Sequence, residues 1–248
     1  MRPSLVVIHY TGMVSCAAAR ARLCDPAAEV SAHWLISQTG AAEALVPEAM
    51  RAWHAGAGRW RGVDDINSRS IGIELANSGA QPFPEPQMAA LERLLADILQ
   101  RWGIGPAGVI GHSDMAPGRK ADPGARFDWL RLARTGLSVW PTPGVPGDFA
   151  ADLAAFGYPA AAPEVLLTAF RLRFRPWASG PLDDTDRALA AGLGLGSPGA
   201  GRVDAGRLDT ATLDEGPLDT GPVATGQPNA GPVATGPLAK GPRNAGPA

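Results

Sequence analysis

Four histidines stand in the chain, His9, His33, His54 and His112, and all precede residue 113. His9 closes the apolar run Leu5-Val6-Val7-Ile8, and His112 closes Val109-Ile110-Gly111. Both therefore sit where a buried strand surfaces into a loop, and strand ends are where α/β folds assemble their sites. A carboxylate, Asp122, follows in the loop Met115–Pro123. Two imidazoles and one carboxylate form an open ligand set for Zn²⁺, leaving a fourth position for a water whose pKa falls to about 7. A lone histidine at a strand end is more often a hydrogen-bonded core or surface residue, so spacing alone leaves both readings open.

Two further residues carry chemistry. Glu74 lies in Ser70-Ile-Gly-Ile-Glu-Leu-Ala76, flanked by Ile71, Ile73 and Leu75. A carboxylate among apolar strand residues is costly to bury unless it is paired or working, although alternation with Gly72 also allows a surface-facing position. Lys120 matters because only two lysines, Lys120 and Lys240, stand among 22 basic residues. An ammonium is a compact point donor and guanidinium a planar fork, so a site that stabilises one developing oxyanion has reason to keep lysine.

The elements that must position these residues are short. Strand-like runs at Leu5–His9, Ala32–Ser37, Ser70–Ala76 and Val109–Gly111 alternate with helical patterns. Gln87–Trp102 is the clearest helix, with Leu91, Leu94, Leu95, Ile98, Leu99 and Trp102 on one face and Gly103 to end it. The pattern predicts an α/β fold, a mixed central sheet flanked by helices. Three prolines within Trp140–Gly147 predict an extended linker, dividing a first segment, 1–139, from a second, 148–195. Beyond it, glycines recur every five residues from Gly201 to Gly246, with Ala211 filling the one gap. Units such as Gly-Pro-Val-Ala-Thr bury too little to offset about 1–2 kcal/mol of backbone entropy per residue, so 196–248 is expected to be a disordered tail. A period of five excludes collagen.

Composition narrows the function classes. The net charge of −2 gives no field that favours nucleic acid or anionic lipid. Cys16 and Cys24 fall on an Ala-rich helix, roughly 12 Å apart at the helical rise, beyond the ~7 Å reach of a disulfide. They are expected to be free thiols. No run approaches the ~18 apolar residues of a membrane span, and Leu5–Ile8 is too short for a signal-peptide core. The expected location is the cytoplasm, with the periplasm or envelope as the alternative.

The motifs Val7-Ile-His-Tyr-Thr-Gly12, Val30-Ser-Ala-His-Trp-Leu-Ile36, Ala52-Trp-His-Ala-Gly56, Asn67-Ser-Arg-Ser-Ile-Gly-Ile-Glu-Leu75 and Gly111-His-Ser-Asp114 through Pro117-Gly-Arg-Lys-Ala-Asp-Pro-Gly124 span the first segment. In this order they resemble the zinc-dependent N-acetylmuramoyl-L-alanine amidases of the type 2 family. The resemblance implies zinc held by His9, His112 and Asp122, and Glu74 and Lys120 as the catalytic pair. It also implies hydrolysis of the amide between N-acetylmuramic or 1,6-anhydro-N-acetylmuramic acid and L-alanine of a stem peptide. An aspartate as third ligand, where phage lysozymes and animal recognition proteins carry cysteine, points to the bacterial cytosolic and lipoprotein branches. His33, Trp53, His54 and Asn67 are expected to shape the cleft around sugar or peptide.

The second segment is similar to the small three-helix peptidoglycan-binding domain of the lipoprotein branch, through Phe156-Gly-Tyr158, Ala169-Phe170 with Phe174-Arg-Pro176, and Gly180-Pro-Leu-Asp-Asp-Thr185. The implied partner is peptidoglycan or a muropeptide, met by a monomer. Two rivals remain: a recognition protein that binds wall without cutting it, and a phage or secreted lytic amidase acting on whole wall. Loss of a ligand or of Glu74 would mark the first, and none is lost.

Overall fold

The computed structural model describes residues 1–195, and the expected tail at 196–248 lies outside the described residues. Five strands form one sheet in the order β3-β2-β4-β1-β5. They are β1 (Leu5–Tyr10), β2 (Trp34–Ile36), β3 (Ala42–Ala44), β4 (Ser70–Leu75) and β5 (Val109–Gly111). β1 lies between β4 and β5, parallel to both, and β2 is parallel to β4. β3 runs antiparallel to β2, so the sheet is mixed, as the alternation of elements predicts. β3 itself carries no apolar alternation, and a three-residue edge strand of sequence Ala-Glu-Ala leaves no pattern to read.

The sheet has two different faces. Val6, Ile8, Ile71, Ile73 and Leu75 pack against helix α2 (Glu85–Trp102) through Leu91, Leu94, Leu95 and Ile98. α2 begins two residues before the expected start, because Pro86 in its first turn sacrifices no hydrogen bond. It ends where Gly103 adopts the left-handed φ of 66°. On the opposite face the parallel register sets Leu5 beside Ser70, Val7 beside Gly72 and His9 beside Glu74. α1 (Cys16–Leu23) is capped by Ser15, and both cysteines are free.

Three helices follow the Pro-rich stretch: α5 (Phe149–Phe156), α6 (Pro163–Phe174) and α7 (Asp184–Leu195). Two shorter ones, α3 (His112–Met115) and α4 (Trp129–Arg134), precede it. The expectation that 140–147 separates two bodies is modified. Leu5, Val7, Ile110 and Met115 share one buried cluster with Phe149, Leu153, Phe170 and Phe174, and both sides belong to one compact unit. Buried Arg173 of α6 donates to Asp114 Oδ2 at 2.5 Å, to the Val109 carbonyl at 3.1 Å and to Ser138 Oγ at 3.2 Å, with its guanidinium 4.3 Å from the Trp129 ring. Tyr158 donates to the other oxygen of Asp114 at 2.5 Å. Among the described residues no helix is long and apolar enough to cross a membrane.

Candidate metal centre and active site

Three donor atoms from three elements converge at the carboxyl ends of β1 and β5. His9 is the fifth residue of β1, and its side chain leaves the face that carries Leu5 and Val7. His112 opens α3 directly after β5. Asp122 is brought back by the Ala116–Asp122 loop, in which the amides of Arg119 and Lys120 both donate to the Ala116 carbonyl and Ser113 N–H donates to the Asp122 carbonyl. His9 Nδ1 stands 2.8 Å from Asp122 Oδ2, His112 Nδ1 3.0 Å from the same oxygen, and the two imidazole nitrogens 3.0 Å from each other. All three residues are buried.

The chemistry of this donor set suits a cation. His112 Nε2 lies 2.8 Å from the Ala55 carbonyl, which accepts only, so Nε2 carries the proton and Nδ1 the lone pair. The Arg119 guanidinium stands 3.3 Å from the same nitrogen but donates to the Ala55 and Ala57 carbonyls. His112 Nδ1 and Asp122 Oδ2 are thus two acceptors in contact, an arrangement that repels unless positive charge lies between them. Burial, together with the neighbouring His112, lowers the pKa of His9 to about 4, which keeps its imidazole neutral and able to ligate.

Glu74 and Lys120 line the same cavity, of about 420 Å³, as the three donors. Glu74 is half-buried, and its Oε2 has no hydrogen-bond partner among the described residues. Burial and the charge of Asp122 push its pKa up to about 8, while the Lys120 ammonium pulls in the opposite direction. A buried, unpartnered carboxyl oxygen is expensive to keep, and carboxyls with raised pKa values cluster at functional sites.

The four residues expected to shape the cleft fare differently. Trp53 is half exposed on the cavity rim. His33 requires correction: it is fully buried, accepts from the Gly72 N–H at 2.9 Å and donates to the Met50 carbonyl at 3.1 Å. With both nitrogens spent on backbone, it supports the sheet and does not reach the cleft. Asn67 is also buried, and its Oδ1 accepts from the amides of His54 and Ala55, clamping that segment. His54 borders the cavity, but its ring nitrogens face His9 and Ser70. Arg119 and Arg22 also line the cavity, and in an arginine-rich chain no sequence signal distinguishes them.

Residues 1–125 match the Amidase_2 family, N-acetylmuramoyl-L-alanine amidase. The chain belongs to this family. The amidase AmiD of Escherichia coli K12 is 36% identical over 230 residues, which cover 77% of this chain and 82% of AmiD. Its structure in complex with anhydro-N-acetylmuramic acid-L-Ala-D-γ-Glu-L-Lys superposes with a TM-score of 0.71 at 35% identity, covering 78% of this chain and 89% of that one. AmpDh3 of Pseudomonas aeruginosa, in complex with anhydromuramic pentapeptide, gives a TM-score of 0.72 at 32% identity, with 79% and 92% covered. The 1,6-anhydro-N-acetylmuramyl-L-alanine amidase AmpD of Haemophilus influenzae is 42% identical over 103 residues, 41% of this chain and 56% of AmpD. The amidase match with AmpD is thus confined to a part of the chain, whereas those with AmiD and AmpDh3 extend over more than three quarters of it.

Proposed function

We propose that this amidase hydrolyses the amide between anhydro-N-acetylmuramic or N-acetylmuramic acid and L-alanine, with Zn²⁺ held by His9, His112 and Asp122. The observation that carries the reading is the convergence of three buried donor atoms, within 4.8 Å of one another, in the cavity that also holds the unpartnered Glu74 carboxyl. Bound there, Zn²⁺ supplies a Lewis acid for the carbonyl and lowers the pKa of water. Glu74 takes the proton of the attacking water and passes it to the leaving amide nitrogen. Lys120 donates to the oxyanion as the tetrahedral carbon forms. Trp53 offers its exposed face to the sugar or the peptide. The substrate class follows from the muropeptides bound by AmiD and AmpDh3.

Elemental analysis tests the metal: about one zinc per chain is expected in the wild type and none in His112→Ala. Equal zinc in both proteins, or none in the wild type, overturns the ligand assignment. For 148–195 the proposed role is peptidoglycan binding alongside catalysis by 1–139. Exposed Trp177, in the turn between α6 and α7, is the observation that favours it.

A further inference from the structure

The far side of His9 carries a second line of polar contacts that zinc ligation does not use. His9 Nε2 lies 3.0 Å from His54 Nδ1, and His54 Nε2 lies 3.3 Å from Ser70 Oγ. Ser70 Oγ is also 2.7 Å from the Ile66 carbonyl, which can only accept. The single hydroxyl proton of Ser70 is therefore committed to Ile66, and toward His54 the serine oxygen accepts. It follows that His54 Nε2 carries the proton in that contact. A neutral imidazole protonated on Nε2 has its lone pair on Nδ1, so His54 Nδ1 accepts from His9 Nε2–H. His9 is left with its lone pair on Nδ1, the atom that faces His112 Nδ1 and Asp122 Oδ2.

The seat of His54 is shaped for this contact. A Cβ at residue 72 would lie 2.3 Å from His54 Cγ, so only glycine at that position of β4 admits the ring. Asn67 Oδ1 fixes the backbone on either side by accepting from the amides of His54 and Ala55 at 3.1 and 2.9 Å. The His9 and His54 rings meet edge to face, 5.1 Å apart at 78°. Ser70, Gly72 and Glu74 alternate along one face of β4, so one strand supplies the proton acceptor for His54, the slot that holds it and the carboxyl of the active site.

We propose that His54, seated over Gly72 and oriented by Ser70, is a positioning residue that fixes the Nε2–H tautomer of His9 and thereby presents the His9 Nδ1 lone pair to the metal. The inference rests on the zinc reading above, and it moves His54 from a residue that touches substrate to one that acts through His9. Partners of this kind behind a ligating histidine set its tautomer and basicity, and their loss typically weakens metal binding about 10–100-fold.

The test is Zn²⁺ affinity, measured on the full chain by competition with a chromophoric chelator. Wild-type protein that fails to bind Zn²⁺ overturns the zinc reading itself. With wild-type binding established, His54→Leu removes the acceptor, His54→Asn retains a carbonyl oxygen near the place of Nδ1, and His54→Gln sets its amide one bond too far out. His54→Leu and His54→Gln are expected to raise the dissociation constant about 10–100-fold and His54→Asn by less than about threefold. Wild-type affinity in His54→Leu overturns the inference, as does a loss in His54→Asn equal to that in His54→Leu, which would mean that the ring serves only as packing. A second measurement needs no variant: ¹⁵N shifts of the ring nitrogens in the zinc-loaded wild type should place the His54 proton on Nε2. A proton on His54 Nδ1 overturns the inference.

Discussion

On one side of β4, Ile71, Ile73 and Leu75 are fully buried against α2, and on the other Ser70 and Gly72 lie against His54 while Glu74 lines the cavity with His9, His112 and Asp122. The same six residues thus serve two kinds of stability. The apolar side is a matter of volume, in which each side chain is held by many weak contacts that a similar shape reproduces. The polar side is a matter of individual atoms: a serine oxygen that accepts from one imidazole, a glycine with no room for a Cβ, and a carboxyl oxygen without a partner. A change on the first side should be read in folding, and a change on the second in metal binding or turnover.

The largest separation is expected from Glu74→Gln. It is nearly isosteric and should keep fold and zinc while turnover falls on the order of 10²–10⁴-fold. Near-normal amide cleavage by this variant would remove Glu74 from the chemistry. The comparison also has a counterpart away from β4. Arg173→Met strands the buried Asp114 carboxylate and should destabilise by about 3–5 kcal/mol in urea unfolding, whereas an ion pair at the surface would cost almost nothing. Ile73→Ala should cost about 2–5 kcal/mol of stability and leave turnover per folded molecule unchanged. A fall in turnover that matched Glu74→Gln would show that the two faces are not independent.

Smaller effects sharpen the contrast. As a base, Glu74 works when deprotonated, so the rate rises with pH through its pKa. Lys120 lowers that pKa, and Lys120→Met should therefore move the acid limb of kcat/KM to higher pH as well as reduce the rate. An unmoved limb would separate the two residues. The smallest effect is expected from Trp177→Ala, which should weaken sedimentation with purified sacculi through lost local concentration and leave hydrolysis of a soluble muropeptide unchanged. Equal loss on both substrates would make the helical segment a support only.

The site was legible where residue type and strand ends coincide. His9 and His112 each close an apolar strand, and Asp122 follows His112 by ten residues in the loop that the family resemblance marks as a ligand position. Glu74 was legible because an acid interrupts an apolar strand. The support around these residues was not, since it depends on what the fold brings together: Ser70 and His54 meet across 16 residues, and Gly72 matters only because the His54 ring lies against it. The same limit applies to His33, whose motif reads as part of a cleft although its nitrogens serve the Gly72 amide and the Met50 carbonyl. For the fold, long amphipathic α2 was readable from periodicity and four of the five strands from short β-rich runs. The shared core across 140–147 was not, because prolines report local backbone restraint and say nothing of which surfaces meet afterwards.

The central claim is hydrolysis of one amide, and the fate of the attacking oxygen tests it most directly. Zinc-loaded protein is incubated with anhydro-N-acetylmuramic acid-L-Ala-D-γ-Glu-L-Lys in ¹⁸O-labelled water, and the products are weighed by mass spectrometry. The account predicts one heavy oxygen in the released anhydromuramic acid and none in the peptide, with chelation stopping the reaction and Zn²⁺ restoring it. Intact substrate in the presence of fully loaded protein would contradict it and leave a protein that recognises muropeptide without cutting it.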